Sequence, residues 1–174
     1  MHLVPFFAID PELAARETRV MHTFVPQDGL PMGAYGLLEF YCPDPDCDCR
    51  RVMLNIAEEK EPDHFLAFIS YGFDRDEEMA GPFLDPMNPQ SKYAEALLEL
   101  VKETVLNDPR YVARLERHYA LVKRAASNSN HPAYRTLQKV LADDAESFPL
   151  PQPGKSQGRP SKRRRKPRRK RRKR

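Results

Sequence analysis

The sequence has no apolar stretch near the roughly 20 residues that cross a bilayer, which excludes a spanning helix. It has no glycine-rich phosphate loop, and neither Ser70 nor Ser91 sits in nucleophile-elbow surroundings. Cysteine is scarce: three residues, all between positions 42 and 49, an odd and clustered set that argues against a disulfide framework. The N-terminal MHLVPFFAIDPEL has no basic region, and its short apolar run is broken by Pro5 and closed by Asp10, so it does not read as a secretory signal. These absences predict a reducing compartment, cytoplasm or nucleus, without membrane insertion. The last twenty residues lack acid altogether.

What is present divides by charge. Residues 155–174 hold fourteen of the 29 Lys and Arg and none of the 25 Asp and Glu, so the net +4 splits into +14 on the tail and −10 on everything before it. Asymmetry of this kind bears on partners, not on fold. At 174 residues the chain suits one well-buried domain. The division predicted is an acidic body over 1–148 and a basic tail over 149–174. After Leu150 the tail has no large apolar residue, so it cannot offset the entropy of ordering and is expected to be disordered by itself.

Within the body, Asp10-Pro11 is a cap followed by a favoured first helical residue, and a helix is expected over PELAARETRVMHTF. Pro26–Gly36 reads as a loop. Tyr35–Cys42, Val52–Ala57 and Phe65–Phe73 are short, aromatic and aliphatic, and predict three strands. The short polar links between them favour an antiparallel meander. Asp74–Pro89 is acidic and proline-rich and is expected to be a surface connection. Helical stripes follow: Tyr93, Ala94, Leu97, Leu98, Val101 and Val105 after the Ser91 cap, then Val112, Leu115, Tyr119 and Val122 after Asp108-Pro109. A last helix is expected over Pro132–Ala142. The fold class predicted is α+β, with helices on one face of a three-stranded antiparallel meander.

The segment most suggestive of chemistry is Cys42-Pro-Asp-Pro-Asp-Cys47-Asp-Cys49. Cys47 and Cys49 point to one side of an extended backbone, and Cys42 on the opposing strand end can face them. Three thiolates so placed suit Zn²⁺, and Arg50 and Arg51 would favour the thiolate form. A closed zinc site needs a fourth ligand, for which His64, His22, His2 or an Asp of the loop are all open. Two other readings also stand: ordinary thiols at a tight turn whose Asp residues form the turn, or a redox role, for which a one-residue spacing is unfavourable.

YCPDPDCDCRRV, together with LDPMNPQSKYAEALLELVKETVLNDPRYVARLERHYALVK, resembles a family of uncharacterised bacterial proteins, across much of residues 41–124. Members of that family keep the three-cysteine loop followed by RRV, and some carry a cysteine-rich metal-binding module at the C-terminus. The resemblance implies a bacterial, cytoplasmic setting and a metal role for Cys42, Cys47 and Cys49, and it implies no activity. The basic tail departs from that pattern.

The tail offers Lys155, Arg159, Lys162, Arg163, Arg164, Arg165, Lys166, Arg168, Arg169, Lys170, Arg171, Arg172, Lys173 and Arg174 as phosphate contacts. Flexible Lys and Arg release counterions on binding, giving salt-dependent, weakly selective attachment to DNA or RNA. Gly158-Arg159-Pro160 partly resembles an AT-hook, with Gln157 where that motif has a second Arg. The competing partners are an acidic protein surface or the chain's own body, whose Asp44, Asp46, Asp48, Asp74, Asp76, Glu77 and Glu78 offer the opposite charge. His118, beside Glu116 and Tyr119 on a helix, reads as structural rather than catalytic, and His64 as a turn residue. Tyr35, Phe40, Tyr41, Phe65, Phe68, Tyr71 and Phe73 read chiefly as core, with base stacking as the alternative. No residue is assigned a catalytic role. The function expected is a non-enzymatic metal- and nucleic-acid-binding protein. The alternatives are a metal- or thiol-dependent enzyme localised by its tail, or an interaction protein for acidic partners.

Overall fold

The computed structural model describes residues 2–26, 29–74 and 76–147. The basic tail, with its AT-hook-like core, lies outside the described residues. The fold is α+β: an antiparallel sheet of six strands and five α-helices among the described residues. The strands are β1 (Val4–Pro5), β2 (Arg19–Thr23), β3 (Gly33–Tyr41), β4 (Arg51–Glu58), β5 (Phe65–Gly72) and β6 (Phe83–Leu84). The helices are α1 (Phe6–Ile9), α2 (Pro11–Glu17), α3 (Ala94–Val101), α4 (Pro109–Ser127) and α5 (Tyr134–Ser147), with a π-helical turn over Lys102–Leu106 continuing α3.

Strands β3, β4 and β5 pair in succession, as expected from their short links, but the sheet extends beyond them. One edge of β3 is shared end to end. β1 covers its C-terminal part (Val4 opposite Tyr41) and β2 its N-terminal part (His22 opposite Ala34). β6 closes the far side against β5.

Two expectations are corrected here. The first helix does not run to Phe24; it stops at Glu17, and Arg19–Thr23 becomes a strand. Only Met21 of that strand is buried, and an edge pairing with β3 satisfies backbone groups that a helix of such weak amphipathicity would leave no better packed. The acidic connection over 74–89 also contains β6, reached through the cis Gly81–Pro82 bond. Gly81 has φ +78°, and a Cβ there would lie 2.8 Å from the Ser70 carbonyl, so no other residue fits without displacement.

Two of the three caps expected from sequence are made. Asp10 Oδ1 accepts from Leu13 N at 2.9 Å with Pro11 at the first helical position. Asp108 Oδ1 accepts from Arg110 N at 2.9 Å ahead of α4. The Ser91 hydroxyl accepts from Tyr93 N at 3.1 Å within the turn that precedes α3; the helix itself opens at Ala94 with Tyr93 in the cap position and no side-chain cap bond, so the cap expected at Ser91 is displaced.

The core lies between the sheet and its helices. Alternate residues Tyr35, Leu37, Glu39 and Tyr41 of β3 are buried, as are Val52, Leu54 and Ile56 of β4. Leu97 and Val101 of α3, Leu115 and Val122 of α4 and Leu137 of α5 meet them. Each such aliphatic burial contributes about 1.5–3 kcal/mol. Tyr35, Tyr41, Tyr71 and Phe73 are core, whereas Phe40, Phe65 and Phe68 are half-buried and form their own edge-to-face cluster, with centroids 6.1 and 5.5 Å apart. No described helix is long and apolar enough to cross a membrane.

Candidate metal centre and the buried polar network

The β3–β4 hairpin carries the cysteines at one end of the sheet. Cys42 directly follows β3, Cys49 lies two residues before β4, and Cys47 sits between them in the loop. Their three Sγ atoms all lie within 4.8 Å of one another. Cys42 is buried; Cys47 and Cys49 are half-buried. Among the described residues these sulfurs form the one cluster of three or more metal-donor side chains.

The loop is shaped locally by its acidic residues. Asp44 Oδ1 accepts from Asp46 N at 3.0 Å, and the Asp44 carbonyl accepts from Cys47 N at 3.3 Å, so the Pro-Asp-Pro-Asp run folds into a turn that carries Cys47 toward Cys42. The turn-forming role of Asp44 and the grouping of the thiols are therefore parts of one arrangement, not alternatives. A helix completes the hold: Lys123 Nζ of α4 donates to the carbonyls of Asp44 and Cys47, the latter at 2.9 Å.

The thiols act on one another through hydrogen bonds. Cys47 is lowered from its ordinary value, first because the Cys49 thiol donates to it, with the Lys123 ammonium adding a smaller push. Cys49 is pushed up to about 12, first by burial and then because its proton is held between Cys47 and Cys42. A divalent cation supplies the charge that allows all three to ionise.

Arg51, two residues after Cys49, is engaged by other groups. Arg51 donates to Ser70 Oγ at 3.3 Å, to the Met79 carbonyl at 2.7 Å and to Glu77 Oε1 at 3.2 Å, so it clasps the 74–80 connection. Lys123, from a helix 76 positions downstream of Cys47, adds a cation at the thiols that their sequence neighbours did not suggest.

A cavity of about 460 Å³ opens beside the cluster, lined by Cys42 and Cys47, by His2 and the 43–45 turn, and by Ala126, Leu137, Gln138 and Leu141 of α4 and α5. The sheet register separates the histidines that sequence alone left equivalent. His22 pairs with Ala34, eight residues along β3 from Cys42, roughly 27 Å at about 3.4 Å per residue. His64 adjoins Phe65, which pairs with Ala57 at the far end of β4 from Cys49, a similar distance. Neither reaches the sulfurs. His2 does line their cavity.

A second polar assembly, on the same helix-facing side of the sheet, was not readable from the sequence. His118 of α4 is 1 % exposed. Its Nδ1 lies 2.6 Å from Glu39 Oε2 and its Nε2 lies 3.0 Å from Glu17 Oε2, while its ring stacks on Phe6 with centroids 3.9 Å apart. The Tyr41 hydroxyl donates to Glu39 Oε2 at 2.8 Å, Arg114 donates to Glu39 Oε1 at 3.3 Å, and Arg117 pairs with Glu17. Two carboxylates therefore face two guanidiniums around a buried imidazole. This arrangement ties α2, β3 and α4 together, and a void of about 10 Å³ adjoins it. The contacts are those of a His packed and paired within the fold, the reading given to His118 from sequence. Its partners come from residues 79 and 101 positions away, not from the adjacent Glu116.

Compared with protein-family models, curated proteins and solved structures, the chain matches none.

Proposed function

We propose that the chain is a non-enzymatic, cytoplasmic binding protein whose β3–β4 hairpin is closed by zinc on Cys42, Cys47 and Cys49 and whose basic tail attaches it to nucleic acid. The observation that carries the metal half is the grouping of three sulfurs within 4.8 Å of one another. Thiolates favour zinc over the hard cations, and a hairpin end held on one side by β3 and on another by Lys123 is a preorganised ligand set. The likeness of the loop to a bacterial family that keeps the same cysteines supports the same reading.

The nucleic-acid half rests on charge. The body carries −10 and repels phosphate, so attachment falls to the fourteen cations of residues 155–174. Removing the metal with a chelator under reducing conditions tests the structural use of the site. Loss of near-ultraviolet circular dichroism, restored by zinc, is the expected result; an unchanged spectrum after complete metal removal contradicts it.

One observation favours a second reading, a metal-dependent enzyme localised by its tail. The cavity of about 460 Å³ touches Cys42 and Cys47 and has an apolar wall of Ala126, Leu137 and Leu141, as a small-molecule site would. Retained fold with an exchangeable ligand on the metal distinguishes it. A third reading, capture of acidic protein surfaces or of the body's own exposed Asp74, Asp76, Glu77 and Glu78, predicts tail affinity for acidic protein above that for nucleic acid at physiological salt.

A further inference from the structure

We infer that His2 is the fourth ligand of the cysteine centre, which makes it a closed three-thiolate, one-imidazole site; this rests on the metal reading above. Strand β1 brings it there. Val4 pairs with Tyr41 and Pro5 with Phe40, so continuing the register sets Leu3 beside Cys42 and His2 beside Pro43. Side chains alternate along an extended chain, and His2 accordingly shares the side of Val4, which is buried toward the helices. Leu3 lies on the other side, in a separate cavity with Cys49 and Arg51. His2 instead shares a cavity wall with Cys42 and Cys47. Its ring lies outside the three-sulfur cluster, but it is exposed, and no hydrogen bond among the described residues holds it away. Rotation about its side-chain bonds is the movement the assignment requires.

The other donors compete poorly. His22 and His64 are at the opposite end of the sheet. Asp44 lines the cavity too, but its Oδ1 is engaged by Asp46 N and its carbonyl by Lys123. Charge also selects. Zinc with three thiolates and a neutral imidazole is −1, a charge that the single nearby ammonium of Lys123 balances. A carboxylate in the fourth place makes it −2 beside exposed Asp46 and Asp48. Substitution at His2 touches no buried contact, so the fold is not at risk in the test.

The test is cobalt titration of the reduced, untagged full chain, compared with His2→Ala, His2→Cys and Asp44→Asn, the last of which keeps an oxygen to cap the turn. Wild type is expected to give sulfur-to-cobalt charge-transfer absorption together with the intense visible bands of a tetrahedral ion. His2→Ala keeps the charge-transfer absorption, changes the visible bands, and loses more than about tenfold in zinc affinity, since loss of even an outer partner costs that much. His2→Cys restores tight tetrahedral binding with stronger charge transfer, and Asp44→Asn behaves as wild type. Visible bands and zinc affinity unchanged in His2→Ala overturn the assignment, as does a change in Asp44→Asn alone. Absence of charge transfer in wild type instead sinks the cysteine centre itself.

Discussion

Lys123 Nζ donates to the backbone carbonyl of Cys47 at 2.9 Å, so the thiol loop is fastened to helix α4 as well as to strands β3 and β4. The contact is to the loop's backbone, and it fixes where the sulfurs sit without consuming any of them. It also places a cation beside thiols that must ionise together to hold a metal.

Lys123→Met removes the donor, together with the ammonium that stands 5.3 Å from the Tyr119 ring centroid. Zinc affinity, read by competition with a coloured chelator, is expected to fall by roughly 10- to 100-fold, the range for lost outer-shell partners. Unchanged affinity would show that the loop holds its shape without the lysine.

The Glu39–His118 contact predicts stability, not metal binding. Glu39→Ala leaves His118, Arg114 and the Tyr41 hydroxyl with a missing partner in the core, and breaking a buried charged set costs about 3–5 kcal/mol. Urea unfolding should show that loss while zinc stoichiometry stays as in wild type. A loss below about 1 kcal/mol, the scale of surface pairs, would mean the network contributes little.

Tyrosine ionisation should follow unfolding at alkaline pH. Burial, then the Glu39 charge, raises Tyr41 well above its ordinary value, and burial first also raises Tyr111. A folded value above the unfolded one contributes stability that is fully present below about pH 10 and is lost as pH rises beyond it. Absorbance at alkaline pH should therefore show part of the seven tyrosines ionising only together with loss of circular dichroism. Complete ionisation of a still-folded chain would contradict the burial of these phenols.

How much of this was legible in the sequence follows from the range of the forces involved. The caps at Asp10 and Asp108 are local, and they stand where the sequence puts them. The three central strands were visible because their apolar runs are short and sharply bounded. β2 was hidden, because Arg19–Thr23 is a strand only by virtue of the β3 edge beside it. The cysteine grouping could be anticipated from spacing, but the choice among His2, His22 and His64 needed the register. Lys123 and the Glu17–His118–Glu39 assembly depend on contacts across 76 to 101 positions, with no sequence signal beyond a charged residue on a helix face.

For the tail, binding to duplex DNA should weaken steeply with salt. About eight phosphate contacts give a slope of log K against log salt near −7. A chain truncated after residue 154 should lose the binding altogether. A shallow slope, or full binding by the truncated chain, would move the interface to the body, where the half-exposed Phe40, Phe65 and Phe68 offer one stacking surface.

The most direct measurement is elemental analysis of the purified, reduced, untagged protein beside a Cys47→Ser, Cys49→Ser double variant. The account predicts about one zinc per chain in the wild type and none in the variant, as expected when the thiolates are the ligands. A wild-type protein that carries no metal from a chelator-free preparation, or a variant that carries as much as wild type, would contradict it.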